Sequence, residues 1–130
     1  MPRGRGLSAL AELDLINQPG VTLIAPPDAV LADAASSSPR PAFASSLRTA
    51  APSRHICWWP ERETLTAETL SRLHWMLQIG VGQGWLLTDP GDDEPLSANE
   101  LRESLEGTNL RVDEDRILAD GATAIRCVPR

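Results

Sequence analysis

The chain has 130 residues, 42% of them hydrophobic, and a formal net charge of −6. That length supports one domain with a true core, and that composition excludes wholesale disorder. All twelve basic residues are arginine, tyrosine is absent, and two cysteines are too few for a disulfide-built secreted scaffold.

In chain order, "MPRGRG" reads as a flexible arm over residues 1–6 of a single domain spanning 1–130. "LSALAELDLIN" carries Leu7, Leu10, Ala11 and Leu13 at helical spacing, with Ser8 as a candidate cap. Glu12 and Asp14 interrupt its apolar run, so it is neither a signal-peptide core nor a membrane span. "QPG" breaks this element and launches a first strand, Val21 to Ala25. A turn of two prolines follows, then a short helix over "PDAVLADAA". Residues 34–53 are rich in proline and serine and read as loop, weakly ordered, with a short edge strand around Ala42 to Leu47.

"RHICWW", Arg54 to Trp59, is nearly all apolar and predicts a strand buried on both faces. The next helix takes Thr66 as its N-cap, with Leu65 and Leu70 as a hydrophobic staple. Leu70, Leu73, Met76 and Leu77 form its buried stripe, and Gly80 is expected to end it. "GWLLTD" is the third strong strand. A further helix opens with Ser97 and Glu100 as a capping box, flanked by Leu96 and Leu101, and closes before Gly107. The C-terminus reads as two strands joined at Asp120-Gly121, a turn-forming dipeptide. Alternating strands and helices that close on an antiparallel hairpin predict a three-layer α/β domain with a mostly parallel sheet.

Charge is uneven. From Asp89 to Asp115 there are ten carboxylates against Arg102 and Arg111, a local charge of −8 that leaves the rest of the chain at +2. Such a surface repels phosphate backbones, which argues against a nucleic-acid partner. It is either a solvated, solubility-giving face or a docking patch for a basic partner.

The chain resembles a small actinobacterial family of unknown function whose members look like shortened, degenerate methyltransferase-type Rossmann domains. The resemblance runs from about Leu13 to Arg130 and rests on "LDLINQPGVTLIAPPDAV", "HICWWPERETL", "GQGWLLTDP" and the closing hairpin. It implies a Rossmann-like sheet in the order 2-1-4-5-7-6 in methyltransferase terms, with the third strand absent and the last antiparallel. The family often carries a lysine after the "GWLLTDP"-type strand and a tryptophan near the final hairpin. This chain has Asp89-Pro90 there and no lysine, so activity hung on those residues does not transfer. In the implied order the strand containing Trp85 separates Cys57 from Cys127, about 10 Å apart and too far for a disulfide.

A methyl-donor or dinucleotide site needs close backbone approach after the first strand, which glycines allow, and free N–H groups at the helix start. Pro26 and Pro27 each fix φ at about −65° and each remove an N–H. Asp28 adds a negative charge where an anionic ligand would sit. An acid on a second strand could still hold a ribose, but the chain offers no clear second strand to carry it.

Other constellations are weaker. His55 and Cys57 share a strand face, but a rise of about 6.5 Å separates them, whereas a nucleophile and its base need about 3 Å. His74 falls beside the buried stripe of its helix. Two histidines and two cysteines, not grouped in sequence, give zinc no support, and "DPGDDEP" lacks the spaced ligands of a calcium loop. Trp58 and Trp59 should point to opposite faces of their strand. They are read as core filling, or, for Trp59-Pro60, as the wall of a groove at the carboxyl end of the sheet.

These residues assign no catalytic group, cofactor or metal. They point to a cytoplasmic, non-catalytic module that binds or regulates a protein partner, with no membrane or nucleic-acid role. Its candidate surface comprises Pro26, Asp28, Trp59, Asp89, Asp92, Asp93, Glu94 and Glu103. The alternative is a small-molecule binder, for S-adenosyl ligands or nucleotides, or an enzyme of methyltransferase ancestry. A homo-oligomer that buries an exposed strand or acidic face against its own copy is a third possibility.

Overall fold

The computed structural model describes residues 9–130, so the arm over residues 1–6, Leu7 and the Ser8 cap lie outside the described residues. Six strands form one sheet: β1 (Val21–Ile24), β2 (Ala42–Ala44), β3 (His55–Trp58), β4 (Gln83–Leu87), β5 (Leu110–Ile117) and β6 (Thr123–Pro129). Their order is β2-β1-β3-β4-β6-β5. The first four strands run parallel, and β6 lies antiparallel to both β4 and β5. This is the order implied above, with the final hairpin folded back on the sheet. β2 supplies the second strand that the sequence did not make clear. Its carboxyl end carries Ser45 and Ser46, so it brings no acid.

Helices α1 (Ala9–Glu12), α2 (Asp28–Ala34), α3 (Ala67–Gly80) and α4 (Ala98–Leu105) cover the two faces. Strand alternation sorts the side chains into two cores. Beneath α3 and α4 lie Ile24, Ile56, Trp58, Leu86, Ile125 and Cys127, with Leu70, Leu73, Met76 and Leu77 of α3 and Leu101 and Leu105 of α4. On the opposite face Leu23, Cys57, Trp59, Trp85, Leu87 and Ala124 pack with Leu10, Leu13, Val30 and Ala34. Trp58 and Trp59 therefore do point opposite ways, one into each core. Cys57 and Cys127 are free, buried, and on opposite faces of the sheet, so no disulfide can join them. Leu47 and Ala50, around a short 3₁₀ turn at Leu47–Thr49, anchor the proline- and serine-rich stretch in the first core.

Local chemistry sets the element ends. Thr66 Oγ1 accepts the Thr69 N–H at 3.2 Å, and the Thr66 N–H donates to Thr69 Oγ1 at 3.1 Å. The pair Ser97 and Glu100 does the same for α4, at 3.1 Å in each direction. The α1 helix ends earlier than its sequence pattern: Asp14 takes φ +60° and the Leu15 N–H reaches back to the Leu10 carbonyl at 2.8 Å. That is a left-handed helix stop built without glycine.

The α3 helix ends at Gly80 as expected, though not through a glycine cap. The glycine is the last helical residue, and Val81, at φ +50°, occupies the left-handed cap. Gly80 is required for a different reason: a Cβ there would meet the Ser53 carbonyl oxygen at 2.4 Å. A Cβ on Gly82 would meet the Arg54 carbonyl oxygen at 2.1 Å. The glycines let α3 and the start of β4 press against the backbone leading into β3. At the hairpin tip the Gly121 N–H donates to the Leu118 carbonyl at 2.9 Å and the Leu118 N–H to Ala122 at 2.8 Å. Gly121 sits at φ +92° in that turn, a type I turn with a glycine bulge.

Candidate functional site

The carboxyl ends of β1, β3 and β4 open onto a cleft of about 570 Å³. In open parallel sheets this edge is where ligands are held. Three connections wall the cleft: Ala25 to Pro27 after β1, Trp59 to Glu63 after β3, and the loop from Thr88 to Leu96 after β4.

The first wall is the unusual one. The Ala25 N–H completes the sheet by donating to the Ala44 carbonyl at 2.9 Å, and the residue then turns through φ +55°. That is the left-handed conformation for which a glycine would normally be used. Pro27 follows as the N-cap of α2, with no side-chain cap, and its carbonyl accepts the Val30 N–H at 3.0 Å. The turn thus combines a left-handed residue with two prolines that present no N–H to the cleft.

The other helix starts near the cleft have some of their donors engaged by side chains. The α4 start is closed by the Ser97–Glu100 box. The short 3₁₀ turn Arg62–Thr64 is tied by the Glu61 N–H donating to Thr64 Oγ1 at 3.0 Å. After β4, Asp89 Oδ1 accepts the Gly91 N–H at 2.9 Å and the Asp89 carbonyl accepts the Asp92 N–H at 3.1 Å, folding the acidic loop on itself.

What remains facing the cleft is negative: Glu61, Glu63, Asp89, Asp92 and Glu94 line it, against Arg62. Arg62 is itself held by Glu100 through two bonds, Nε to Oε2 at 2.6 Å and Nη2 to Oε1 at 3.1 Å. The guanidinium, with help from the Ser97 N–H, holds the Glu100 carboxyl at a pKa of about 2. The same contact raises the Arg62 pKa above its ordinary value.

The surface expected from sequence is split by the structure. Pro26, Trp59, Asp89, Asp92 and Glu94 meet in the cleft. Asp28, Asp93 and Glu103 do not line it; each is exposed, at the start of α2, in the acidic loop and on α4 respectively. Trp59 borders the cleft but is only 6% exposed, its ring belonging to the core with Leu23 and Leu87. Sequence reasoning missed Glu61, Arg62 and Glu63. Their signal was position: "PERE" directly follows the carboxyl end of a strong central strand.

The acidic block is also divided. Arg102 pairs with Asp115, Arg116 with Glu114, and Arg126 with Asp113 and Glu114. Arg116 and Arg126 each lie 5.7 Å from the Trp85 ring centre, and Arg116 Nη1 donates to the Glu12 carbonyl at 2.7 Å. The carboxylates of β5 are therefore paired on the surface of the sheet, whereas Asp89, Asp92 and Glu94 of the acidic loop face the cleft.

Away from the cleft both thiols are buried. Burial pushes the Cys127 thiol up to about 12 and the Cys57 thiol higher still, while burial and then the nearby Arg54 charge lower the His55 pKa. Among the described residues no three His, Cys, Asp or Glu side chains are grouped to hold a metal ion, and no helix is long and apolar enough to cross a membrane.

No protein-family model matches this chain, and no curated protein matches its sequence. Solved structures do share its fold. One is the O-methyltransferase family 2 protein from Planctomyces limnophilus DSM 3776, in complex with apigenin: TM-score 0.51 and 13% identity over 93% of this chain and 46% of that one. Another is LaPhzM, with TM-score 0.50 and 10% identity over 93% of this chain and 45% of that one. The chain has a methyltransferase-like Rossmann fold and spans just under half the length of either structure. At such identities the likeness establishes the fold alone.

Proposed function

We propose that this chain is a non-catalytic module on a methyltransferase-type scaffold, and that it docks a basic segment of a partner protein at the acidic carboxyl edge of its sheet. One observation carries the reading. The cleft where such folds hold an anionic or adenosyl ligand is walled by Pro26 and Pro27 and by five carboxylates, with Arg62 tied up by Glu100. A site of this kind offers acceptors and negative charge, and its turn after β1 lacks the N–H cradle that phosphate or carboxylate groups need. The buried, free thiols fit a cytoplasmic setting. The acidic edge disfavours nucleic acid.

The test sets S-adenosylmethionine, S-adenosylhomocysteine and ATP against an arginine-rich peptide, by thermal shift and calorimetry. The peptide should bind, with affinity falling as salt rises, and the adenosyl ligands should leave the melting temperature unchanged. Stabilisation of about 2.7 kcal/mol by an adenosyl ligand at a hundredfold excess over its Kd would overturn the reading. It would favour the second one, a small-molecule binder or enzyme of methyltransferase ancestry. That alternative is supported by the position of the cleft at the ends of three parallel strands in a fold shared with an O-methyltransferase.

A further inference from the structure

The two helices over the first core differ in what they turn to solvent. On α4 the outward residues include Asn99, Arg102 and Glu103, the polar face that a surface helix ordinarily shows. On α3, fourteen residues long, only Glu68 and Arg72 are charged. Toward its end the exposed residues are Trp75, Gln78 and Ile79, with Trp75 45% and Ile79 60% exposed. Trp75 and Ile79 stand one helical turn apart, so their side chains form one apolar strip.

This strip runs into a groove of about 390 Å³ between α3 and the 3₁₀ turn Leu47–Thr49. Arg48, Arg72 and Trp75 line it, with Glu68 as its one carboxylate. The Arg72 guanidinium is held in place: Nε donates to the Leu47 carbonyl at 3.2 Å and Nη2 to the Arg48 carbonyl at 3.1 Å, while Cζ lies 5.4 Å from the Trp75 ring centre. All three of these partners are neutral. Glu68, one turn earlier, has the spacing of a favoured helical ion pair with Arg72, yet the pair is not made. Elsewhere Arg62, Arg102, Arg111, Arg116 and Arg126 each pair with a carboxylate. Arg48 and Arg72 pair with none among the described residues, in a chain with a net charge of −6.

The charge on offer selects the occupant. A guanidinium fixed by two carbonyls and an indole has little rotamer freedom left to lose on binding, and its remaining N–H groups suit a carboxylate. We propose that this surface docks an acidic amphipathic segment of a partner protein, its carboxylates on Arg48 and Arg72 and its apolar side chains on Trp75 and Ile79. Tryptophan and arginine side by side are the residue types that carry most of the energy at such contacts. The groove shares no lining residue with the cleft at the carboxyl edge and takes the opposite charge, so it stands independently of the reading of that cleft.

A random peptide library displayed on phage tests the proposal. It is first depleted on a chain carrying both Arg48→Ala and Trp75→Ala, which removes peptides held at the cleft or elsewhere, and then selected on the wild type. The recovered peptides should combine Asp or Glu with an apolar residue three or four positions away. In calorimetry with the tightest of them, Trp75→Ala should weaken binding at least about tenfold, as loss of a central anchor does. Arg48→Glu should also weaken it and should lessen the fall in affinity with rising salt. Ile117→Ser, at an exposed apolar position on β5, should leave the affinity unchanged, and far-ultraviolet dichroism should be the same for all these variants. Nothing recovered after depletion, recovered peptides without carboxylates, or an affinity indifferent to Arg48→Glu would each overturn the proposal. Indole-3-acetate binding as tightly as the peptide would instead make the groove a small-molecule site. A wild-type dimer dissociated by Trp75→Ala would assign the face to a second copy, and either result would equally sink the assignment.

Discussion

Replacing Ala25 with glycine tests the reading of the turn after β1 most directly. Ala25 is exposed and held at φ +55°. An L-residue in that conformation costs about 1–2 kcal/mol, while glycine costs about 0.5–1 kcal/mol more to order from the unfolded chain. The difference predicts that Ala25→Gly stabilises the fold by about 0.5–1 kcal/mol, a rise of about 2–4 °C in melting temperature for a domain of this size. Differential scanning calorimetry with urea titration at fixed pH measures both quantities. A second arm concerns the cleft. Removing the Cβ at the wall should not create adenosyl-ligand binding, because Pro26 and Pro27 still withhold their N–H groups. A melting temperature that stays level or falls would refute the strain argument. Acquired binding of S-adenosylmethionine would refute the assignment of the barrier to the prolines.

Val81→Gly should stabilise by a similar margin, about 1 kcal/mol, since a β-branched residue is strained in the left-handed cap and this one is 80% exposed; the same calorimetry checks it. Gly82→Ala should cost about 3 kcal/mol because its methyl must displace backbone, whereas Gly107→Ala, at φ +77° in open space, should cost about 1 kcal/mol, and equal losses in urea would contradict the packing of Gly82 on Arg54. Glu100 has a folded pKa of about 2 against an ordinary 4.5, so the stability it contributes is complete above pH 4.5 and is lost as pH falls toward 2. Melting temperatures followed through that window should fall more steeply for the wild type than for Glu100→Gln, and parallel curves would show that the pair with Arg62 contributes nothing.

Features set by a few neighbouring residues were legible in the sequence. Thr66, the Ser97–Glu100 box, the α3 stripe and the Gly121 turn all stand where pattern and capping chemistry put them. So does the strand order, for which the resemblance to methyltransferase-type domains supplied what periodicity could not. The site was half legible. Pro26, Trp59 and the acidic loop lie on connections that any reading of the carboxyl edge selects. Which carboxylates remain free was not legible, because it depends on cross-strand register: the bulge near Val112 sets Glu114 opposite Arg126 and neutralises a stretch that looks uniformly acidic in one dimension. Gly80 marked the helix end correctly, but its role was hidden for a related reason, since it lies in contact with Ser53, far away in sequence.

The sorting of indoles between the two faces of the sheet has an optical consequence. With no tyrosine in the chain, near-ultraviolet emission comes from four tryptophans. Trp58 reports from the layer beneath α3, Trp59 and Trp85 from the layer beneath α1 and α2, and Trp75, 45% exposed, from the surface. With the surface emitter silenced by Trp75→Phe, a further Trp58→Phe leaves emission from the layer beneath α1 and α2 alone, and Trp59→Phe with Trp85→Phe leaves that from the layer beneath α3. The protein thus carries its own pair of internal probes for whether its two layers come apart in a single step.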